Sequence, residues 1–349
     1  MSFSTVPVRC GRMLINSKIG DDNSVNNPRN SFPNSSRHYP DKSTLKSLDQ
    51  LGISLSHSGI PNYDCAGCEE PCSVPMDLEG YPSTFSIDTT APLLGKIKEF
   101  DYLVLCSTGK SDWPHDVCSD ADSIPGALRQ AYPKPNPNKD KVNERPPGIF
   151  DLPAHIDPEK VRDEEEKSKD PIKMTILSSS HISNSDTSEK HSLIVLPDWV
   201  TKSKLPKFPI SPNPGYKLPH RVIILICSHK TRDKRCSISA PILEDSLMDS
   251  LEQTELDWKI DRRGDQDIDH YDPDDHWIGI FRVSHSGGHK FAGNLILNFP
   301  NGTSIWYGRV MPNDCKRVVE ETIMKKKILP ELLKGGVGLD SKNFERLDW

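Results

Sequence analysis

The segment Ser284–Asn294, SHSGGHKFAGN, sets two histidines four positions apart around a Ser-Gly-Gly. Glycines admit a tight backbone turn, and neutral imidazoles offer nitrogen donors. The segment directly follows WIGIFRV, whose apolar run reads as a buried strand. Two histidines alone do not hold a metal. Further donors lie upstream in CSHKTRDKRC. There Cys227 ends a second apolar strand and Cys236 lies nine residues on, across a loop bearing Lys230, Arg232, Lys234 and Arg235. The candidate donor set is therefore Cys227, Cys236, His285 and His289, a C-x8-C followed by an H-x3-H. Soft thiolates with borderline imidazoles suit zinc or an iron–sulfur cluster rather than a hard cation.

Three metal centres compete. A zinc finger keeps its cysteines about two to four residues apart and its Cys–His gap short, whereas 48 residues with a helix and a strand separate Cys236 from His285. A structural zinc of another kind stays open. A Rieske centre is suggested by Cys227-Ser-His229, a C-x-H. It needs a second, closely paired Cys and His, and Cys236 has no histidine shortly after it. What remains is a cluster whose two irons are held by ligands from two protein loops.

These residues need elements to position them. RVIILIC, WIGIFRV, FAGNLILNF and TSIWYGRV read as strands. SAPILEDSLMDSLEQTEL puts Leu243, Leu247, Met248 and Leu251 on one helical stripe, and DCKRVVEETIMKKKIL closes as a helix with Pro330 near its end. The order β-α-β-β-β-α suits a small α+β sandwich of the thioredoxin type. Upstream, FDYLVLC (Phe100–Cys106) and SLIVLPDWV (Ser192–Val200) read as strands of an earlier, looser folded region. LVLCSTGK at 103–110 echoes LICSHK at 225–230, and each is followed by a second cysteine, Cys118 and Cys236. This suggests a duplicated thioredoxin-like unit whose first copy is degenerate.

The expected organisation is a disordered segment at 1–60, an N-terminal α/β domain with long polar insertions at 61–200 and a proline-rich connector at 201–216. The cluster-bearing domain follows at 217–340, with a tail at 341–349. Low apolar content (34%) and 30 prolines support disordered and loop-rich stretches. A net charge of −6 implies no general affinity for nucleic acid or anionic membrane, and no apolar run is long enough to span a bilayer. Nine cysteines without a secretory signal argue for metal or redox chemistry rather than a disulfide scaffold.

CSHKTRDKRCSISAPIL, SHSGGHKFAGN and WYGRV together resemble the sucrase/ferredoxin-like family of fungi and plants, the thioredoxin-like ferredoxins. The resemblance covers 217–340 specifically and reaches CSTGKSDWPHDVC more loosely; Ser237 stands where relatives often have glycine. In most such ferredoxins four cysteines hold a 2Fe–2S cluster, the last pair as C-x3-C. In the yeast branch that pair is H-x3-H, as His285 and His289 present it. The resemblance implies a 2Fe–2S cofactor with Cys227 and Cys236 on one iron and the two histidines on the other. It also implies an electron carrier or redox regulator rather than a substrate-specific enzyme. The alternative is a zinc-stabilised interaction module. Nothing in the chain pairs two carboxylates for sugar hydrolysis, despite the family's name.

Other signals are weaker. Cys65, Cys68 and Cys72 form a C-x2-C-x3-C whose default reading is free thiols. His229 lies in the ligand loop but falls outside the four-donor set, as a surface residue or a hydrogen-bonding neighbour of the ligands. The acid-rich DRRGDQDIDHYDPDDHW lacks the calcium-loop template. The final Leu347-Asp348-Trp349 resembles the tail by which clients engage the cytosolic iron–sulfur targeting complex. It favours the cytoplasm, against a basic amino terminus (Arg9, Arg12, Lys18) that reads as a weak mitochondrial presequence.

Overall fold

The computed structural model of the chain describes residues 36–37, 74–75, 80–98, 100–134, 149–150, 173–183, 191–196, 200–203, 216–264, 272 and 274–339. All belong to one unit, Ser35–Trp349. Two short strands, β1 (Ser36–Arg37) and β2 (Val74–Pro75), pair antiparallel with each other. The next twelve form a single mixed sheet. They are β3 (Tyr102–Ser107), β4 (Ile149–Phe150), β5 (Met174–Ser179), β6 (Ser192–Leu196), β7 (Val200–Ser203), β8 (Tyr216–Lys217), β9 (Val222–Cys227), β10 (Trp258–Asp261), β11 (His276–Val283), β12 (Leu295–Asn298), β13 (Ser304–Tyr307) and β14 (Leu333–Val337). Three α-helices accompany them among the described residues: α1 (Ile124–Ala131), α2 (Lys234–Glu252) and α3 (Pro312–Arg317), the last continuing as a π-turn over Val318–Met324. The class is α+β. No helix among the described residues is long and apolar enough to cross a membrane.

The sheet runs β4-β14-β13-β12-β9-β11-β5-β3-β6-β7-β8, with β10 also paired to β11. Two groups of four within it repeat one arrangement. In β11-β9-β12-β13, β9 and β11 are parallel, β12 is antiparallel to β9, and β13 is antiparallel to β12. In β5-β3-β6-β7 the senses are the same: β3 parallel to β5, β6 antiparallel to β3, β7 antiparallel to β6. Each group has a helix after its founding strand, α1 after β3 and α2 after β9. The groups meet where β11 and β5 pair antiparallel at Val283 and Ser179.

Composition explains why β9 lies at the centre. All six residues of VIILIC are buried, as expected of a strand covered on both faces. The pleat sends Val222, Ile224 and Ile226 into one apolar layer with Leu243, Leu247 and Leu251 of α2. Ile223 and Leu225 enter the opposite layer with Phe281, Trp306 and, from the first half, Leu103 and Leu105. Burying each such side chain is worth roughly 1.5–3 kcal/mol. The helix begins at Asp233, whose carboxylate accepts the N–H of Arg235 at 2.9 Å, an N-cap that ties the helix start to the loop carrying the candidate ligands.

Some elements differ from expectation. β5, β10 and β14 (MTILSS, WKID and LKGGV) carry polar residues or glycines and escape an apolar-run reading. SLIVLPDWV contributes to two strands rather than one: β6 and β7 pair antiparallel, with Val195 opposite Val200. The closing helix is short, and Pro330 instead opens a 3-10 turn. The segment 1–35, the cysteines at 65, 68 and 72, most of the connector and the tail from 340 lie outside the described residues.

Candidate metal centre

Cys227 is the last residue of β9 and Cys236 lies in the first turn of α2. His285 follows β11 by two residues, and His289 opens a 3-10 turn, His289–Phe291. The parallel register of β9 and β11 sets Cys227 opposite Val283. That pairing brings together residues 58 positions apart: Cys227 Sγ lies 3.9 Å from His285 Nδ1. The donors of Cys227, Cys236 and His285 all fall within 4.8 Å of one another. His289 stands beside them, its ring 5.3 Å from that of His285 at 36°. The two cysteines are buried, His285 is half-buried, and the His289 side chain is 46% exposed with Asp233 Oδ2 at 4.0 Å. Gly287 and Gly288 between the histidines have φ of 97° and 71°, which side chains rarely tolerate.

The sequence from 93 to 335 matches the family described as Sucrase/ferredoxin-like. The chain belongs to that family. It is 40% identical over 118 residues to "Altered inheritance of mitochondria protein 32" of Debaryomyces hansenii, covering 33% of this chain and 36% of the relative. To the protein of the same name in Clavispora lusitaniae it is 34% identical over 116 residues, 33% and 35% of the two chains. "Actin patches distal protein 1" of Saccharomyces cerevisiae is 40% identical over 106 residues, 30% of each chain. The chain thus spans about a third of the length of the curated relatives it matches. No solved structure matches.

In this sucrase/ferredoxin-like chain the thiols of Cys227 and Cys236 share a buried site. The Cys236 S–H, His285 and the Ser286 N–H hold Cys227 as the thiolate well below the usual thiol range, although burial opposes this. Cys236 is pushed the other way by that thiolate and by burial. Burial lowers His289 despite the pull of Asp233, with His285, Arg235 and Arg232 adding to the effect. A neutral imidazole is the ligating form. In chemical kind, this set of two cysteine sulfurs and two imidazoles fits a 2Fe–2S cluster.

Residues outside the donor set hold it in place. His229 is buried, not on the surface: its Nε2 meets the Trp113 carbonyl at 2.7 Å and its Nδ1 accepts the His285 N–H at 3.2 Å. Those partners require the Nε2–H tautomer. Trp113 also presents its ring edge-on at 5.8 Å. Thr231 donates twice to the Asp112 carboxylate, at 2.9 and 2.8 Å, and Ser228 Oγ donates to the Ser111 carbonyl at 2.9 Å. The Ser111–Trp113 segment after β3 therefore grips the ligand loop after β9. The sequence carried one signal for this, the looser reach of the family resemblance into CSTGKSDWPHDVC. Lys334 on β14 and Asn294 had none, and Lys334 is fully buried beneath the histidine loop.

The first half repeats part of the pattern. Cys106 lies near the end of β3, and His181 follows β5 by two residues, as His285 follows β11. Cys106 and Cys118 are free thiols, and burial raises both. Among the described residues no second group of three such donors converges.

Proposed function

We propose that Cys227, Cys236, His285 and His289 hold a 2Fe–2S cluster, the cysteines on one iron and the histidines on the other, and that the chain is a one-electron carrier or redox regulator. The observation that carries this reading is the convergence of Cys227, Cys236 and His285 within 4.8 Å from three separate elements, with the second imidazole alongside. When bound, such a cluster supplies one-electron chemistry. The strand order β11-β9-β12-β13 with α2 and α3 supports a thioredoxin-like unit, and β5-β3-β6-β7 with α1 supports a second, ligand-poor copy.

The chain's own residues set the character of the site. Two neutral imidazoles in place of two thiolates leave the oxidised centre without net charge, so an electron is accepted more readily than in an all-cysteine site. Each imidazole keeps a second nitrogen for a proton. The exposed edge of His289 gives that proton a path to solvent, so electron and proton uptake are coupled. Lys230, Arg232 and Lys234 are exposed on the ligand loop and suit an acidic redox partner. Leu347-Asp348-Trp349 engages the cytosolic iron–sulfur targeting complex in this reading. Maturation in the cytoplasm would suit such a tail, and relatives named for mitochondrial inheritance are compatible with a mitochondrial pool.

Purification without oxygen tests the reading. Red-brown protein containing iron and acid-labile sulfide, bleached by dithionite, supports it. Colourless, zinc-loaded protein contradicts it and leaves a zinc-stabilised interaction module.

A further inference from the structure

We propose that Lys334 is the built-in counter-charge of this centre: a buried ammonium that braces the histidine loop and makes the site accept an electron more readily. The inference rests on the cluster reading above. Lys334 is fully buried on β14, between Leu333 and Gly335. Its Nζ donates to the Gly287 carbonyl at 3.1 Å and to Asn294 Oδ1 at 2.8 Å. Asn294 continues the connection, donating through Nδ2 to the Gly288 carbonyl at 3.2 Å and accepting the Cys227 N–H on its own carbonyl at 3.2 Å. One residue therefore links the ammonium to a candidate ligand, and the same ammonium holds the turn between the two histidines.

The chain makes room for this lysine at some cost. A Cβ at Gly308 would lie 2.9 Å from Lys334 Cδ, and one at Gly288 would lie 3.1 Å from Nζ. Two glycines thus line the path of the side chain. A buried charge is expensive unless an opposite charge compensates. Among the described residues no carboxylate pairs with Lys334; the negative group that favours its charged form is the Cys227 thiolate. Burial lowers its pKa to about 8, which leaves it predominantly charged at neutral pH. A fixed positive charge in a medium of low dielectric stabilises whichever state of the neighbouring centre is more negative. Here that is the reduced state, and in the metal-free chain the Cys227 thiolate.

Two substitutions separate charge from bracing. Lys334→Met removes both the charge and the hydrogen bonds; Lys334→Gln keeps a donor without the charge. The expected result in both loaded variants is at least a tenfold loss in the one-electron reduction equilibrium, a drop of 59 mV or more. In the metal-free chain, methylthiolation of Cys227 by methyl methanethiosulfonate, read by peptide mass spectrometry, slows at least fivefold. Asn294→Asp retains Lys334 and sets a carboxylate against it, so it lowers the potential in the same direction and serves if the Lys334 variants do not fold. Unchanged potentials in the folded variants, together with unchanged Cys227 reactivity, overturn the proposal. If the chain holds no iron, the cluster reading fails, and the thiol reactivity still decides the role of Lys334.

Discussion

The backbone N–H of His285 donates to Nδ1 of His229 at 3.2 Å, so one candidate ligand is held by the side chain of a histidine that is not itself in the donor set. The same ring reaches the Trp113 carbonyl at 2.7 Å, in the segment that follows β3. His229→Ala leaves both partners unsatisfied in a buried site, at a cost of about 1–3 kcal/mol. The expected outcome is a lower thermal midpoint and a reduced iron-to-protein ratio. His229→Gln, whose amide can both donate and accept, recovers part of each. Equal iron content in all three proteins would show that His229 does not position the site.

Glu244 ties α2, which carries Cys236, to the strands beneath it. Its carboxylate accepts from Arg262 Nε at 2.7 Å and from Arg282 Nε at 2.6 Å. Glu244→Leu leaves two guanidinium groups without their acceptor and destabilises the fold by about 2 kcal/mol. Urea unfolding checks this; a shift in midpoint of the opposite sign would contradict it.

Acid should weaken the junction between the two halves. His181 is buried against Phe281, with ring centroids 5.7 Å apart, and burial lowers its pKa from 6.5 to about 4. The unfolded chain therefore binds this proton more readily, so stability is complete above pH 6.5 and falls as pH drops toward about 4. The full loss is about 3 kcal/mol. Urea midpoints measured across that range should fall for the native chain and fall less for His181→Leu. Parallel curves would remove His181 as the cause.

Loss of a thiolate is more severe than loss of a brace. Cys227→Ser and Cys236→Ser should each abolish or badly destabilise iron binding, because the hard hydroxyl is a poor replacement for soft sulfur. Iron and sulfide analysis of anaerobically prepared variants checks this, and near-native iron content in either would move the ligand assignment elsewhere.

The strands of the second half were legible because unbroken apolar runs mark buried strands; Cys227 is the last residue of one, and His285 follows another by two residues. Parallel pairing of β9 and β11 then had to bring those ends together. β5, β10 and β14 were not legible, since their hydrophobicity comes from placement in the sheet rather than from their residues. The roles of Trp113, Asn294 and Lys334 depend on contacts made over 100 or so positions or through backbone carbonyls, which residue type does not encode. His229 was half legible: its place in the ligand loop marked it, but its burial depends on the first half of the chain.

The most direct test of the four-ligand centre is pulsed EPR of the dithionite-reduced protein. The account predicts hyperfine coupling to two imidazole nitrogens, one lost in His285→Cys and the other in His289→Cys. In each variant the potential should also fall, by on the order of 100 mV, and its pH dependence should flatten. A reduced native spectrum without nitrogen coupling, or coupling that survives replacement of both histidines, would contradict it.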